Sequence, residues 1–367
     1  MTVTTDTTTA TPRQDRLPRP DGVAIAAVAD EGTKAAWQRY LHSAPGATVF
    51  HDPLWSEAVE RTFGHHGVHR VAWRDGRIVG VLPLVEVRSL LGGRMLISVP
   101  YGTYGGLLAD DENARDALAA EAVHLVHHRG ARVLDIRSAD AVIPGWEVVE
   151  RYDAFVRDLP LHPNELDAFL PKRARAAARQ ARERDGVTVQ HDHRLLRTVW
   201  DLYSRSMRRL GSISYPYRFL VELAERLGER AWVTVAWHED RPVAGALSLA
   251  YGDTITPYLL GLDEHATCRG AANALFHAVM ERAIRSGLRR FDYGRTRKDN
   301  PGSAGFKKNQ GFEPRTLGYQ RYVRPGQVAP DLTPSNRSFG LARRLWPHLP
   351  LPVARCLGGW LSRSIPG

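Results

Sequence analysis

Cysteine is nearly missing from this chain: among 367 residues only Cys268 and Cys356 carry a thiol. Two such distant residues build neither a disulfide framework nor a thiolate metal site, which points to a reducing, cytoplasmic setting. Long apolar runs are missing as well. With no uncharged apolar stretch of 18 residues, the sequence offers no membrane-spanning helix. Lysine is scarce, limited to Lys34, Lys172, Lys298, Lys307 and Lys308. There is no Gly-x-x-x-x-Gly-Lys phosphate loop, no His-Glu-x-x-His and no Gly-x-Ser-x-Gly elbow, so the commonest NTPase, zinc-protease and serine-hydrolase readings fall away. Residues 1–22 are rich in Thr, Pro and Arg without an apolar centre, and read as a disordered leader rather than a signal peptide.

What is abundant is arginine, and the formal net charge is +10. Such an excess suits an anionic partner: RNA, a nucleotide-linked substrate or a membrane surface. Patterning then shows one plan used twice. Alternating apolar residues over 69–73, an Asp75-Gly76 turn and a second run over 78–84 predict a hairpin, followed by a helix over 112–128 and a strand over 132–137. The same grammar returns as 232–237, a turn at Asp240-Arg241, 242–250, a helix over 271–286 and a strand over 289–293. Helices over 53–62 and 195–210 precede the two hairpins. This predicts an internally duplicated α/β protein with central sheets, divided as 23–150 and 151–325. Residues 326–367 read as a Pro-rich linker and a basic amphipathic tail, suited to packing on the domains or to an anionic membrane surface.

Three features could carry chemistry. The histidine groups 65/66/69 and 124/127/128 have no accompanying carboxylate motif and read as solvated side chains, so no metal is expected. A basic helix begins after Pro171 and closes at Gly186. On it Lys172, Arg175, Arg179 and Arg182 fall within an arc of about 80°, a stripe suited either to a polyanion backbone or to plain solvation. The densest segment is 291–314, where a strand ends at Tyr293-Gly294 and a Gly-rich basic loop leads to Lys307 and Lys308. A lysine ammonium beside such a loop can stabilise an oxyanion.

The order Phe50-His-Asp-Pro-Leu-Trp55, Val79-Gly-Val-Leu-Pro-Leu84, Pro100-Tyr-Gly-Thr-Tyr-Gly-Gly106, Phe291-Asp-Tyr-Gly-Arg295 and Gly305-Phe-Lys-Lys-Asn-Gln-Gly-Phe-Glu-Pro314 resembles the FemAB-type proteins. It is most similar to the branch found with exopolysaccharide and exosortase systems. The resemblance implies two tandem GNAT-like domains with mixed sheets and transfer of an acyl group, classically aminoacyl from tRNA, to an amine of a cell-envelope precursor. It implies Lys307 as the catalytic residue, and Tyr101, Arg208, Tyr258, Arg295 and Phe306 as substrate-binding residues. The basic helix (Lys172, Arg175, Arg179, Arg182) would then contact tRNA. No cofactor is implied. Two departures bear on substrates: Val59-Glu60 stand where the peptidoglycan enzymes have a phosphate-binding cation, and Thr267 breaks the Gln/Arg-x-x-Gly-x-Gly/Ala loop that would hold coenzyme A. The alternatives are an acyl-CoA-dependent N-acyltransferase and a non-catalytic binding protein at the inner membrane face.

Overall fold

The computed structural model describes residues 22–333, 336 and 339–367; the expected leader, up to residue 21, lies outside them. The first half runs β1 (Ala24–Ala27), α1 (Glu31–Ser43), α2 (Pro53–Phe63), β2 (His66–Gly67), β3 (Arg70–Arg74), β4 (Arg77–Leu82), β5 (Val85–Ser89), β6 (Gly93–Ile97), β7 (Leu108–Ala109), α3 (Glu112–His128), β8 (Val133–Ile136) and β9 (Glu147–Val148). The second runs β10 (Tyr152–Asp158), α4 (Leu166–Phe169), α5 (Lys172–Arg179), β11 (Thr188–His191), α6 (Leu196–Arg209), α7 (Tyr217–Leu227), β12 (Ala231–His238), β13 (Arg241–Tyr251), β14 (Thr254–Leu262), α8 (Ala271–Arg285), β15 (Arg290–Arg297), α9 (Pro301–Asn309), β16 (Pro314–Thr316) and β17 (Gln320–Val323). The tail adds α10 (Gly340–Leu345) and α11 (Leu351–Ser362).

Local chemistry explains most boundaries. Asp52 caps α2 by accepting from the Leu54 N–H, with Pro53 in the first turn, and Gly64 ends it at φ 65°. Asp111 caps α3 in the same way, accepting from Ala114. The first hairpin turns through Asp75 and Gly76 at φ 49° and 76°, the left-handed pair that a tight turn between twisted strands needs. The second turns through Glu239 and Asp240, at φ 48° and 59°, one residue earlier than the expected Asp240-Arg241.

Strands order as β1-β3-β4-β7, as β2-β5-β6-β8-β17-β9, and as β11-β12-β13-β14-β15-β10-β16. The expected single strand over 78–84 is broken. Pro83 has no N–H to give a ladder, so the chain leaves β4, which pairs with β3, and resumes as β5, which pairs with β6. In the second unit β13 passes uninterrupted between β12 and β14. The division at residue 325 also needs correcting. β17 belongs to the first unit's sheet, paired antiparallel with β8 and β9, so residues 320–323 return to complete it.

Each unit contains one parallel pair: β6 with β8, and β14 with β15. The second pair meets only at Thr254–Arg290 and Ile255–Phe291, after which β14 and β15 part. The units also share a core. Phe50, Trp55, Phe63 and Tyr104 of the first pack with Val199, Tyr203, Phe219 and Leu220 of the second, and the Trp55 ring lies 5.8 Å from Phe219 and 5.1 Å from Tyr258.

Candidate active site

A cleft of about 600 Å³ lies between the units, lined by the end of β15 and by residues of β6, β8 and β17. Its walls include Arg137, Tyr152, Tyr203, Tyr215, Arg295 and Tyr319, and the tail's Ile365-Pro366 runs along it. Arg137 follows β8 and is buried, donating to the carbonyls of Val99 and Pro366 at 3.3 Å each and to that of Gly367. Arg295 lies with its guanidinium carbon 4.5 Å from the Tyr152 ring centre and donates to the Tyr319 hydroxyl. Among the described residues no Asp or Glu side chain is recorded within 4.0 Å of either guanidinium. Burial, followed by the like charge of Arg295, pulls the pKa of Arg137 below its usual value. The nearby Asp135 is held by Arg321 at 2.6 Å, so it is already paired. The cleft is therefore cationic, aromatic and receptive to an anion.

Lys307 stands apart from that wall. The expected Gly-rich loop is instead the continuation of β15 to Arg297 followed by α9, which Asn300 caps by accepting from Ser303. Across from β10, Ala154 faces Arg295 and Val156 faces Asp292, so β15 carries one extra residue there, and Gly294 takes the bulge at φ 66°. From α9 the Lys307 ammonium donates to the carbonyls of Tyr293 at 2.8 Å, Gly294 at 3.1 Å and Arg295 at 3.4 Å. Those bonds engage all three N–H groups. The ammonium expected to serve as an oxyanion donor is thus bonded to the bulge that carries Arg295. Burial lowers its pKa to about 8, against the attraction of Asp292. Lys308, one position on, is exposed.

The other expected residues divide. Arg295 lines the cleft. Tyr101 is buried at φ 65°, stacked 4.1 Å from Phe63, its N–H donating to Pro366 and its hydroxyl to Ser362 of the tail. Its hydroxyl also meets Nε2 of His65, whose pKa burial and the Arg363 charge lower to about 4. Tyr258 donates to the Tyr101 carbonyl, within the same aromatic wall. Arg208 donates to the Leu349 carbonyl beneath the tail, outside the cleft lining. Phe306 packs on Phe276 and Tyr293 in the core. Sequence reasoning passed over Arg137, Tyr152 and Tyr319 as site residues. The repeat held a signal for the first, because Asp135-Ile-Arg137 matches Asp292-Tyr-Gly-Arg295.

The basic stripe is shorter than expected. A π-helical turn over Gln180–Arg184 breaks the 100° phase, Arg175 donates to the Asp167 carbonyl, and Arg182 meets His277. Lys172 and Arg179 remain exposed, with Arg173 and Arg184 beside them. The helix packs on α8, where Gly270, at φ 80°, has no room for a side chain: a Cβ would lie 2.5 Å from the Ala177 carbonyl oxygen. A second cavity of about 840 Å³ is lined by His51, Tyr104, Ser138, Thr256 and Asp292 among others. Burial holds His51 neutral, with a pKa of about 3, and raises Asp292 to about 6. Among the described residues no three His, Cys, Asp or Glu side chains are placed to hold a metal, and no helix is long and apolar enough to cross a membrane.

A parallel strand pair in each of two α/β units, parted in the second, is the architecture of a tandem GNAT protein. Residues 170–308 match the family profile described as acetyltransferase (GNAT) domain. The chain has the FemAB-type tandem fold: it is similar to the crystal structure of FemX, with a TM-score of 0.62 and 14% identity over 82% of this chain and 97% of that one. It is also similar to a tandem GNAT protein from the clavulanic acid biosynthesis pathway, with a TM-score of 0.51, 14% identity, and coverage of 82% and 98%. A protein of unknown function from Bacteroides thetaiotaomicron VPI-5482 has a TM-score of 0.50 at 9% identity, with coverage of 82% and 100%. Comparison with curated proteins finds no match.

Proposed function

We propose that the protein is an N-acyltransferase that moves an aminoacyl group from aminoacyl-tRNA to an amine acceptor of cell-envelope or natural-product assembly. The observation that carries the reading is the cleft between the units, where Arg137 and Arg295 stand without an Asp or Glu side-chain partner. A neutral amine attacks the ester carbonyl there and forms the C–N bond. The tetrahedral oxyanion is stabilised by the guanidinium charge, and collapse expels the ribose oxygen, which takes up a proton as the amine loses one. Lys307 contributes by fixing the β15 bulge and thereby the position of Arg295.

RNA as the donor's carrier is supported by the exposed Lys172, Arg173, Arg179 and Arg184 around α5. The same helix crowds the start of α8 at Gly270, next to the altered loop at Thr267, which leaves a coenzyme A pyrophosphate poorly served. The test is to incubate the protein and a mixture of small amines with charged total tRNA, and separately with mixed acyl-CoAs. Loss of charged tRNA that depends on Arg295 is the expected result. Loss of acyl-CoA alone would reassign the donor, and loss of neither would remove the enzyme reading.

A further inference from the structure

The tail helix α11 is packed inside out. It buries its small residues, Ala354, Gly358 and Ser362, and leaves its large apolar ones outward: Val353 is 42% exposed, Leu357 39% and Trp360 60%. These three fall at i, i+4 and i+7, on one face. The inward side is firmly seated. Gly358 lies so close to Ser214 that a Cβ would come 3.1 Å from its carbonyl oxygen, and Arg355 is paired with Asp201 at 2.6 Å. The outward face is therefore a fixed property of the fold and not a frayed end.

A second apolar projection is tied to it. At the turn between β5 and β6, Leu90 is 76% exposed and Leu91 48%. Ser89 Oγ donates to the Ser364 carbonyl at 2.7 Å, and the Leu90 N–H donates to Ser364 Oγ, so this turn is held beside the end of α11. Leu341 and Leu345 of α10 are exposed as well. Around them lie exposed Arg343, Arg344 and Arg363, and from Leu332 onward the sequence contains five arginines and no Asp or Glu.

We infer that α11, α10 and the β5–β6 turn form a docking face for an anionic lipid bilayer, with Leu90, Leu91, Val353, Leu357 and Trp360 entering the headgroup–acyl boundary. Charge complementarity selects the occupant. Each arginine near an anionic surface is worth about fivefold in partitioning, and a rigid apolar face supplies the non-electrostatic part. A second copy of this chain would bring arginine against arginine, with no acid from Leu332 onward to relieve it. The inference goes beyond the proposed acyl transfer and its test needs no turnover.

The experiment is flotation of the full chain with phosphatidylcholine vesicles and with vesicles containing roughly a third phosphatidylglycerol. An environment-sensitive dye is placed on Cys356, the exposed thiol on α11, while Cys268 is buried. At least tenfold more protein should float with the anionic vesicles, and the dye should shift to the blue only with them. Leu357→Asp with Trp360→Asp should abolish both signals, and Arg344→Gln with Arg363→Gln should weaken flotation and reduce its salt dependence. All four positions are exposed, so the variants keep their fold. No flotation, equal flotation on phosphatidylcholine alone, or flotation unchanged in the Asp variant would overturn the inference. So would a concentration-dependent dimer that the Asp variant abolishes.

Discussion

Arg137 and Arg295 are one position used twice. Each lies on or just after the later strand of its unit's parallel pair, and the fold brings both to a single cleft with no Asp or Glu side chain to share between them. A duplicated unit that builds one site from two copies should lose function when either copy is changed. Arg137→Gln and Arg295→Gln are each expected to lower transfer by on the order of 10²-fold, with the double variant well short of the product. Single-turnover rates at saturating donor decide it, and full additivity would mean that the two side chains act apart.

Lys307 should matter through geometry. Lys307→Met leaves buried carbonyls of the β15 bulge unpaired, with a cost on the order of 3 kcal/mol, and transfer should fall along with thermal stability. Lys308→Met, at an exposed site on the same helix, should change neither. A Lys307→Met protein of unchanged melting temperature but lost activity would return this lysine to direct catalysis.

Asp292 makes a pH prediction. Burial raises its pKa from 3.8 to about 6 in the folded chain, against hydrogen bonds from the Gly294 N–H and Tyr104. The folded state therefore holds more protons than the unfolded between those values. Stability from this group is fully present below pH 3.8 and is lost as pH rises through about 6. The change is about 3 kcal/mol. Urea unfolding of wild type and Asp292→Asn across that window should show the slope only in the former.

The basic helix should divide by exposure. Lys172→Gln with Arg179→Gln is expected to weaken tRNA binding and to lower the log–log salt slope by about two. Arg175 and Arg182 are bonded within the protein, so their replacement should register mainly in stability. Fluorescence titration with tRNA at several salt concentrations separates the two pairs. An unchanged slope in the first variant would leave α5 an ordinary solvated helix.

Periodicity carried the elements whose signals are local. The helix over 112–128 and the hairpin turn at Asp75-Gly76 both stand as read. Pro83 was visible, yet its breaking of a strand into two sheets depends on which neighbours pair on each side. The segment after Gly294 looked like a loop because glycine, proline and charge dominate it. Strand pairing with β10 and the Asn300 cap override that composition. Of the site, Arg295 was legible from its motif, whereas Tyr152, Tyr215 and Tyr319 meet only after distant strands are assembled.

The return of β17 to the first unit's sheet has a consequence for how the chain is made. Its partner β8 is synthesised nearly two hundred residues earlier, and Gln320 also supplies the side chain that accepts from Val142 and Ile143 and donates back to the Ile143 carbonyl. While the ribosome is still producing the second unit, the first must wait with an open sheet edge. The amino-terminal unit's sheet is thus completed only after the whole second unit has been made.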